Sequence, residues 1–182
     1  MLLNIFPTPI EKIESFLNKN DIENIVLRVK NLSYTHHNSI TGDGKSSHYE
    51  FSNFIEGSDL EKKINEAIAK YCAVCGYVNN KISYSWANIQ KKDSILKMHN
   101  HGEVPISGAL FLKTDKQSSK FCFENPNPYS KIINWNVLST ICFDAQIGDL
   151  FIFPGWLIHG SNYESNKSDE RIVLSFNCEN VK

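Results

Sequence analysis

The sequence has almost no excess of charge of either sign. It contains 19 Lys and Arg residues and 20 Asp and Glu residues, which leaves a formal net charge of -1 at pH 7. This balance creates no field that would hold a polyanion or an anionic membrane surface. The composition therefore gives no support to nucleic-acid binding.

The sequence also lacks long apolar runs and the marks of an export signal. No stretch approaches the roughly 18 apolar residues that a membrane helix requires. The first residues, MLLNIFPTPIEKIESF, show neither a basic beginning nor a small-residue cleavage site. The five cysteines are odd in number and lie mostly in apolar stretches, which is typical of reduced thiols. We therefore expect a cytoplasmic protein without a membrane segment.

The chain contains enough apolar residues for one sizeable core. With 182 residues, of which 41% are hydrophobic, it is too short for two full domains, so we expect one domain over residues 1–182. The polar stretch Thr35 to Ser47 predicts a loop. Residues 58–76 have apolar residues at helical spacing and end in glycine, which predicts one amphipathic helix. Residues 1–76 thus form a partly helical bracing segment in this interpretation.

Residues 77–182 have a different pattern, with short apolar segments separated by polar turns. The segments are ISYSWANI, SILKMHNH, ISGALFLK, KFCFENP, DLFIFPGWLIHG and RIVLSFNC. Several short strands at this spacing are typical of a sandwich or barrel. The sequence therefore predicts a mainly β (α+β) protein whose antiparallel core is braced by its N-terminal part.

Three of the six histidines occur in a pattern that suggests a metal site. His99 and His101 are two residues apart, so on a strand their side chains would share one face, and Glu103 would follow on that face. His159 closes a distant apolar segment. Strands that face each other in a barrel can bring such side chains together, and imidazoles suit Fe, Zn, Cu or Ni. The alternative is three partly buried, inert histidines.

An arginine follows the third histidine at the start of another predicted strand. Arg171 is the charged residue at the beginning of the apolar run RIVLSFN. Its planar guanidinium could bind a carboxylate through two parallel hydrogen bonds. The alternative is an ordinary strand-end arginine in solvent. Together with the histidines, this arginine favours a site for an acid that chelates a metal.

These motifs, in this order, resemble those of the 2-oxoglutarate- and Fe(II)-dependent oxygenases of bacteria and phages, which are relatives of the prolyl hydroxylase superfamily. The similarity runs from IFPTPI through Trp86 to Asn88, HNH and SGALFL, and ends in GDLFIFP and RIVLSFN. The resemblance implies a double-stranded β-helix of the jelly-roll or cupin-like kind. It implies Fe(II) at His99 and His159, and 2-oxoglutarate paired with Arg171. O2 and an unidentified substrate would complete the reaction, a hydroxylation.

The resemblance leaves the third iron ligand open, because the superfamily usually has H-x-D or H-x-E at this position. In one register His101 takes the place of the carboxylate, and three imidazoles hold the iron. In the other, His101 and Glu103 form the H-x-E pair, with Glu103 as the carboxylate ligand, and His99 lies behind them without contacting the iron. We favour the first register, because Gly102 to Val104 are typical of a turn.

The cosubstrate contacts beyond Arg171 also depart from the superfamily pattern. Val173 stands where a serine is expected, and Ser175, two residues farther along, would face the same way. Asn88 on an earlier predicted strand could point into the same cavity. His36, His37 and His48, in or beside the polar stretch, could reach over the mouth of the barrel as a lid, but exposure to solvent is the simpler expectation. Two rival functions are a cupin-type metalloenzyme that does not use 2-oxoglutarate and a non-catalytic binding barrel.

Overall fold

Eleven strands and two helices occur in the residues that the computed structural model describes, which are 7–49, 53–127 and 139–181. The first two residues of the IFPTPI motif lie outside these ranges. The helices are α1 (Lys19–Lys30) and α2 (Asp59–Cys75). The strands are β1 (Glu11–Ile13), β2 (Ile40–Thr41), β3 (Gly44–Ser46), β4 (Asn80–Lys91), β5 (Ile95–Leu96), β6 (Ile106–Lys113), β7 (Phe121–Glu124), β8 (Thr140–Phe143), β9 (Leu150–Pro154), β10 (His159–Gly160) and β11 (Glu170–Asn180).

The strands form one large and two small antiparallel sheets. The large sheet has the order β1-β9-β6-β11-β4-β3, and the smaller sheets are β10-β7-β8 and β2-β5. His99 and His159 exchange two backbone hydrogen bonds of 2.9 and 2.8 Å, and Ser161 donates to the carbonyl of Leu96 at 2.9 Å. These bonds join the two small sheets into one layer. The predicted mainly β architecture, a double-stranded β-helix, is confirmed.

Side chains that point alternately to the two faces of the large sheet form two separate apolar cores. On β6, Leu110 and Leu112 belong to the core that contains residues of both helices, whereas Ala109 and Phe111 belong to the core on the other face. Successive side chains of a strand point to opposite faces, so this division follows from the backbone. The helices therefore cover one face of the large sheet and leave the other free to form a cavity.

Helix α2 confirms the helix predicted between residues 58 and 76. The Ser58 hydroxyl accepts a hydrogen bond from the amide of Glu61 at 3.2 Å, which caps the first turn. Gly76 ends the helix in the left-handed conformation with φ 72°, which favours glycine. The buried face includes Ile64 and Ile68, as the spacing predicts. Neither helix combines the length and apolar character needed to cross a membrane.

The predicted loop from Thr35 to Ser47 is only partly a loop. It contains β2 and β3, and β3 pairs with β4 at the edge of the large sheet. The sequence signal failed because an edge strand is held by backbone hydrogen bonds to its neighbour, which polar side chains do not prevent. The N-terminal part therefore contributes edge strands to the core as well as helices.

A disulfide joins Cys122 on β7 to Cys142 on β8. These residues lie directly opposite each other in the antiparallel pair, and Cys72, Cys75 and Cys178 are free. The expectation that all five cysteines are reduced was therefore wrong for this pair. An odd number of cysteines allows one bridge and three thiols, and the strand register that brings Cys122 to Cys142 has no local signal.

Candidate metal and cosubstrate site

A cavity of about 300 Å³ lies on the face of the large sheet that the helices leave free. Two neighbouring strands supply a large part of its wall. The cavity-lining residues of these strands are Trp86, Asn88 and Gln90 on β4 and Arg171, Val173, Ser175 and Asn177 on β11.

The register between β4 and β11 explains this lining. Gln90 lies directly opposite Arg171, and Asn88 lies directly opposite Val173. Since every second residue of a strand faces the same side, the side chains of both rows enter one cavity. Ser175 shares the face of Arg171, as expected from its spacing.

The structure brings His99, His101 and His159 together at this cavity. Their ring centroids are 4.5 Å apart for His99 and His159, 4.9 Å for His101 and His159, and 5.4 Å for His99 and His101. One potential ligand atom of each ring lies within 4.8 Å of those of the other two. In the described ranges, no other three His, Cys, Asp or Glu side chains converge in this way. The arrangement has the residue types and spacing for one metal ion.

Backbone carbonyls fix two of the rings in the tautomer that leaves Nε2 free to bind a metal. The Nδ1 atom of His99 lies 2.8 Å from the carbonyl oxygen of Lys97, and the Nδ1 atom of His159 lies 2.8 Å from that of Leu157. A carbonyl oxygen can only accept, so each Nδ1 must donate, and each Nε2 keeps its lone pair. Histidines that bind metals usually donate their other ring N–H in this manner.

Burial keeps the three rings neutral. Burial lowers the pKa of His99 and lowers that of His101 to about 4, where the neighbouring His99 adds to the effect. Burial, followed by repulsion from His99 and His101, puts the pKa of His159 well below its usual value. Because metals bind the neutral imidazole, these lowered pKa values reduce the competition between protons and a metal for the rings.

Glu103 does not join this cluster. The chain turns at Gly102, which has φ 63°, and Glu103 lies exposed in the same turn. The alternative register with Glu103 as a carboxylate ligand is therefore not supported. The segment that contains His99 and His101 is also not one continuous strand. The strand β5 ends at Leu96, and His99 forms only an isolated bridge with His159.

Arg171 is a buried cation in the same cavity. It is 2% exposed, and no carboxylate of the described residues forms an ion pair with it. Its Nη1 donates to Oε1 of Gln90, and its guanidinium carbon lies 5.0 Å from the centre of the Phe111 ring. Burial lowers its pKa to about 10. The alternative of an ordinary strand-end arginine in solvent is therefore wrong.

Two buried donors have no protein partner, one of them in this guanidinium and one beside it. They are Nε of Arg171 and Nε2 of Gln90, which is itself 1% exposed. Buried donors are normally paired, so two unpaired ones next to a buried positive charge suit an anion with several acceptor atoms. Asn88 and Ser175 contact each other at 3.3 Å in the same wall. All three predicted cosubstrate residues therefore line one cavity.

The cavity has further lining residues that the sequence did not favour as part of the site. His37 and His48 line it and are half-buried, so the expectation of solvent exposure was wrong for them. The ring of His48 packs between Tyr84 and Trp86 at 5.0 and 4.8 Å. These contacts depend on how β3 pairs with β4, which no local motif signals. Gln90 had a usable signal, since it follows Asn88 at strand spacing.

Solved structures share this fold at low sequence identity. HygX from Streptomyces hygroscopicus, solved with nickel and 2-oxoglutarate bound, is 12% identical with a TM-score of 0.66, over 96% of this chain and 84% of that chain. The viral collagen prolyl hydroxylase of Paramecium Bursaria Chlorella virus-1, in complex with 2OG, is 13% identical with a TM-score of 0.63, over 94% and 96%. A Pseudomonas putida prolyl-4-hydroxylase is 9% identical with a TM-score of 0.65, over 96% and 94%.

The sequence itself matches a family model. No curated protein matches the chain. Residues 84–177 match the family described as "Putative 2OG-Fe(II) oxygenase", a span of more than half of the chain that includes the three clustered histidines and Arg171. The chain therefore belongs to the 2OG-Fe(II) oxygenase family, whose members are 2-oxoglutarate-dependent oxidoreductases.

Proposed function

We propose that His99, His101 and His159 bind one Fe(II) through their Nε2 atoms, and that Arg171 binds 2-oxoglutarate beside it. In this proposal the chain is a single oxygenase domain that hydroxylates a substrate. The observation that carries the proposal is the presence, in one cavity, of three imidazoles with convergent ligand atoms and a buried arginine without a carboxylate partner.

2-Oxoglutarate has two carboxylates, and one of them does not chelate the metal. The contacts around Arg171 support a binding site for that carboxylate. Arg171 and Gln90 offer N–H donors that no protein atom occupies. A carboxylate that accepts both would neutralise the guanidinium and pair the two donors at once. Asn88 and Ser175, farther along the same rows, are available to bind polar atoms of the cosubstrate.

When bound, iron and 2-oxoglutarate supply the oxidising chemistry: O2 is consumed, 2-oxoglutarate becomes succinate and CO2, and one oxygen atom enters a C–H bond of the substrate. The protein's own contribution is to hold the ligands in a fixed arrangement and to exclude water. Phe111, Phe121 and Phe153 line the cavity and form its apolar wall. The Phe153 ring packs 4.7 Å from that of His159, which restrains this imidazole.

The titration of Fe(II)-loaded protein with 2-oxoglutarate under anaerobic conditions tests this proposal without a primary substrate. We expect a weak visible charge-transfer band that saturates at one equivalent, because a 2-oxo acid chelated to Fe(II) absorbs there. Iron binding without the band would favour a cupin-type metalloenzyme that does not use 2-oxoglutarate. Failure to bind iron would favour a non-catalytic binding barrel.

We also propose a cytoplasmic location, and the Cys122–Cys142 disulfide is the observation that stands against it. Cytosolic thiol systems keep most such pairs reduced. If the protein works there, rapid alkylation in denaturant during lysis of cells that make it, followed by mass spectrometry, should label all five cysteines, including the buried ones. Labelling of only Cys72, Cys75 and Cys178 would assign the protein to an oxidising compartment.

A further inference from the structure

The ring of His101 is anchored differently from those of the other two clustered histidines. His99 and His159 each contact a backbone carbonyl two residues earlier in the chain. The Nδ1 atom of His101 instead lies 2.6 Å from Oδ1 of Asn177, a side chain 76 residues away. The Ser107 Oγ contacts both atoms: it lies 2.8 Å from that Nδ1 and donates to Oδ1 of Asn177 at 2.9 Å.

The fold holds Asn177 at this place from both sides. On β6, Ser107 lies directly opposite Asn177. On β4, the pairing shifts between Asn177 and Cys178, so that Ser83 is an extra residue, and the Ser83 hydroxyl donates to the Asn177 carbonyl at 3.4 Å. Bulges of this kind re-aim side chains next to active sites. The Asn177 amide faces the cavity on the same side as Arg171, because the two residues are six positions apart on β11.

The acceptor at this position decides which nitrogen of His101 can bind a metal. A neutral imidazole carries one N–H, on either Nδ1 or Nε2. The amide oxygen of Asn177 accepts a hydrogen bond from Nδ1, so it favours the tautomer whose Nε2 has a free lone pair. Without this acceptor, only the Ser107 hydroxyl contacts Nδ1, and a hydroxyl can donate as well as accept, so the proton can occupy Nε2 and block it.

We propose that Asn177, assisted by Ser107, is the positioning residue that makes His101 the third metal ligand. The inference rests on the proposed function, because it requires His101 to bind the iron. The Asn177 amide oxygen accepts the hydrogen bond from Nδ1 of His101 without adding a negative charge to the cavity. The side chain acts through His101 and not on the cosubstrate, so its replacement changes metal binding before any cosubstrate is added.

Proton NMR of the protein loaded with Co(II) tests this inference without a measurement of activity. Ring N–H protons of imidazoles bound to Co(II) resonate far outside the normal range and disappear in D2O. We expect three such signals in the wild type. In Asn177→Leu we expect two sharp signals, a third broadened by exchange with solvent, and Co(II) affinity reduced about 10- to 100-fold, which is the range for partners of metal ligands.

Two further variants separate this role from a general loss of structure. Asn177→Asp keeps an acceptor, so all three signals should return, with the His101 signal displaced because a carboxylate draws the proton more strongly. Asn80→Leu is the matched control, because Asn80 is a buried asparagine of β4 outside the cavity. It should retain three signals and wild-type affinity.

The outcomes distinguish this inference from the proposed function. Three sharp signals and wild-type Co(II) affinity in Asn177→Leu would overturn the role of Asn177 and leave the iron site intact. Fewer than three signals in the wild type would overturn the three-histidine site itself. If Asn177→Leu does not fold by circular dichroism, Asn177→Asp decides, and an undisplaced His101 signal contradicts the inference.

Discussion

Replacement of His159 by alanine is expected to weaken Fe(II) binding by more than about 100-fold. Loss of a residue that merely orients a metal ligand typically costs about 10- to 100-fold in affinity, so loss of a ligand should cost more. His159 is 4% exposed, and its ring centroid lies 4.5 Å from that of His99, so the substitution removes a buried member of the cluster. Anaerobic equilibrium dialysis of Fe(II) against both proteins measures the effect.

His36→Ala is the matched control for this variant. His36 is exposed and does not line the cavity, so its removal should leave Fe(II) affinity unchanged. His159→Ala also removes a ring that packs against Phe153 and Phe121, at 4.7 and 5.9 Å, so folding must be verified by circular dichroism. Stoichiometric Fe(II) binding by folded His159→Ala would contradict the assignment of His159 as a ligand.

Arg171→Met is expected to weaken 2-oxoglutarate binding by on the order of 100-fold or more. The guanidinium can form two charge-assisted hydrogen bonds, each worth roughly 1.5–3 kcal/mol, and about 1.4 kcal/mol corresponds to a factor of ten in affinity. Methionine keeps much of the length of the side chain without its charge. Titration with 2-oxoglutarate, followed by the charge-transfer band, gives the dissociation constants of 2-oxoglutarate for the wild type and for Arg171→Met. The Fe(II) affinity of the variant should stay unchanged.

The same variant should not lose stability when no ligand is present. Burial lowers the pKa of Arg171 to about 10 from a usual 12.5, a shift that corresponds to a cost of about 3 kcal/mol for the buried charge. Removal of an unpaired buried charge offsets the loss of its hydrogen bond to Gln90. Arg28→Met is the control, because Arg28 lies exposed on α1. Equal 2-oxoglutarate affinities in the two variants would disprove the role of Arg171.

Much of the fold followed from patterns that are local in sequence. Alternation along RIVLSFN predicted that Arg171 and Ser175 share a face, and the structure has both on the cavity side of β11. The spacing of apolar residues between Ser58 and Gly76 gave α2 with its caps. Such features are visible because backbone geometry repeats every 2 or 3.6 residues.

The features that the sequence did not reveal depend on strand register over long distances. Asn177 reaches His101 because β11 pairs with β6 in one register, and Cys122 meets Cys142 because β7 pairs with β8 in another. A shift of either pairing by one residue would separate these side chains or turn them to opposite faces. The chain alone contains no local mark of these registers, so His37 and His48 were also assigned to solvent.

The absence of a carboxylate from the three-histidine cluster changes the electrostatic balance of the cavity. Among its described lining residues there is no Asp or Glu, whereas Arg171 contributes a positive charge. With neutral imidazoles as ligands, an Fe(II) ion and this guanidinium exceed the charge of a 2-oxoglutarate dianion, so one positive charge remains. A carboxylate ligand would cancel it. The cavity with Fe(II) and 2-oxoglutarate bound should therefore repel cationic substrates and attract small anions. Its electrostatic potential thus selects, by charge, the molecules that reach the metal.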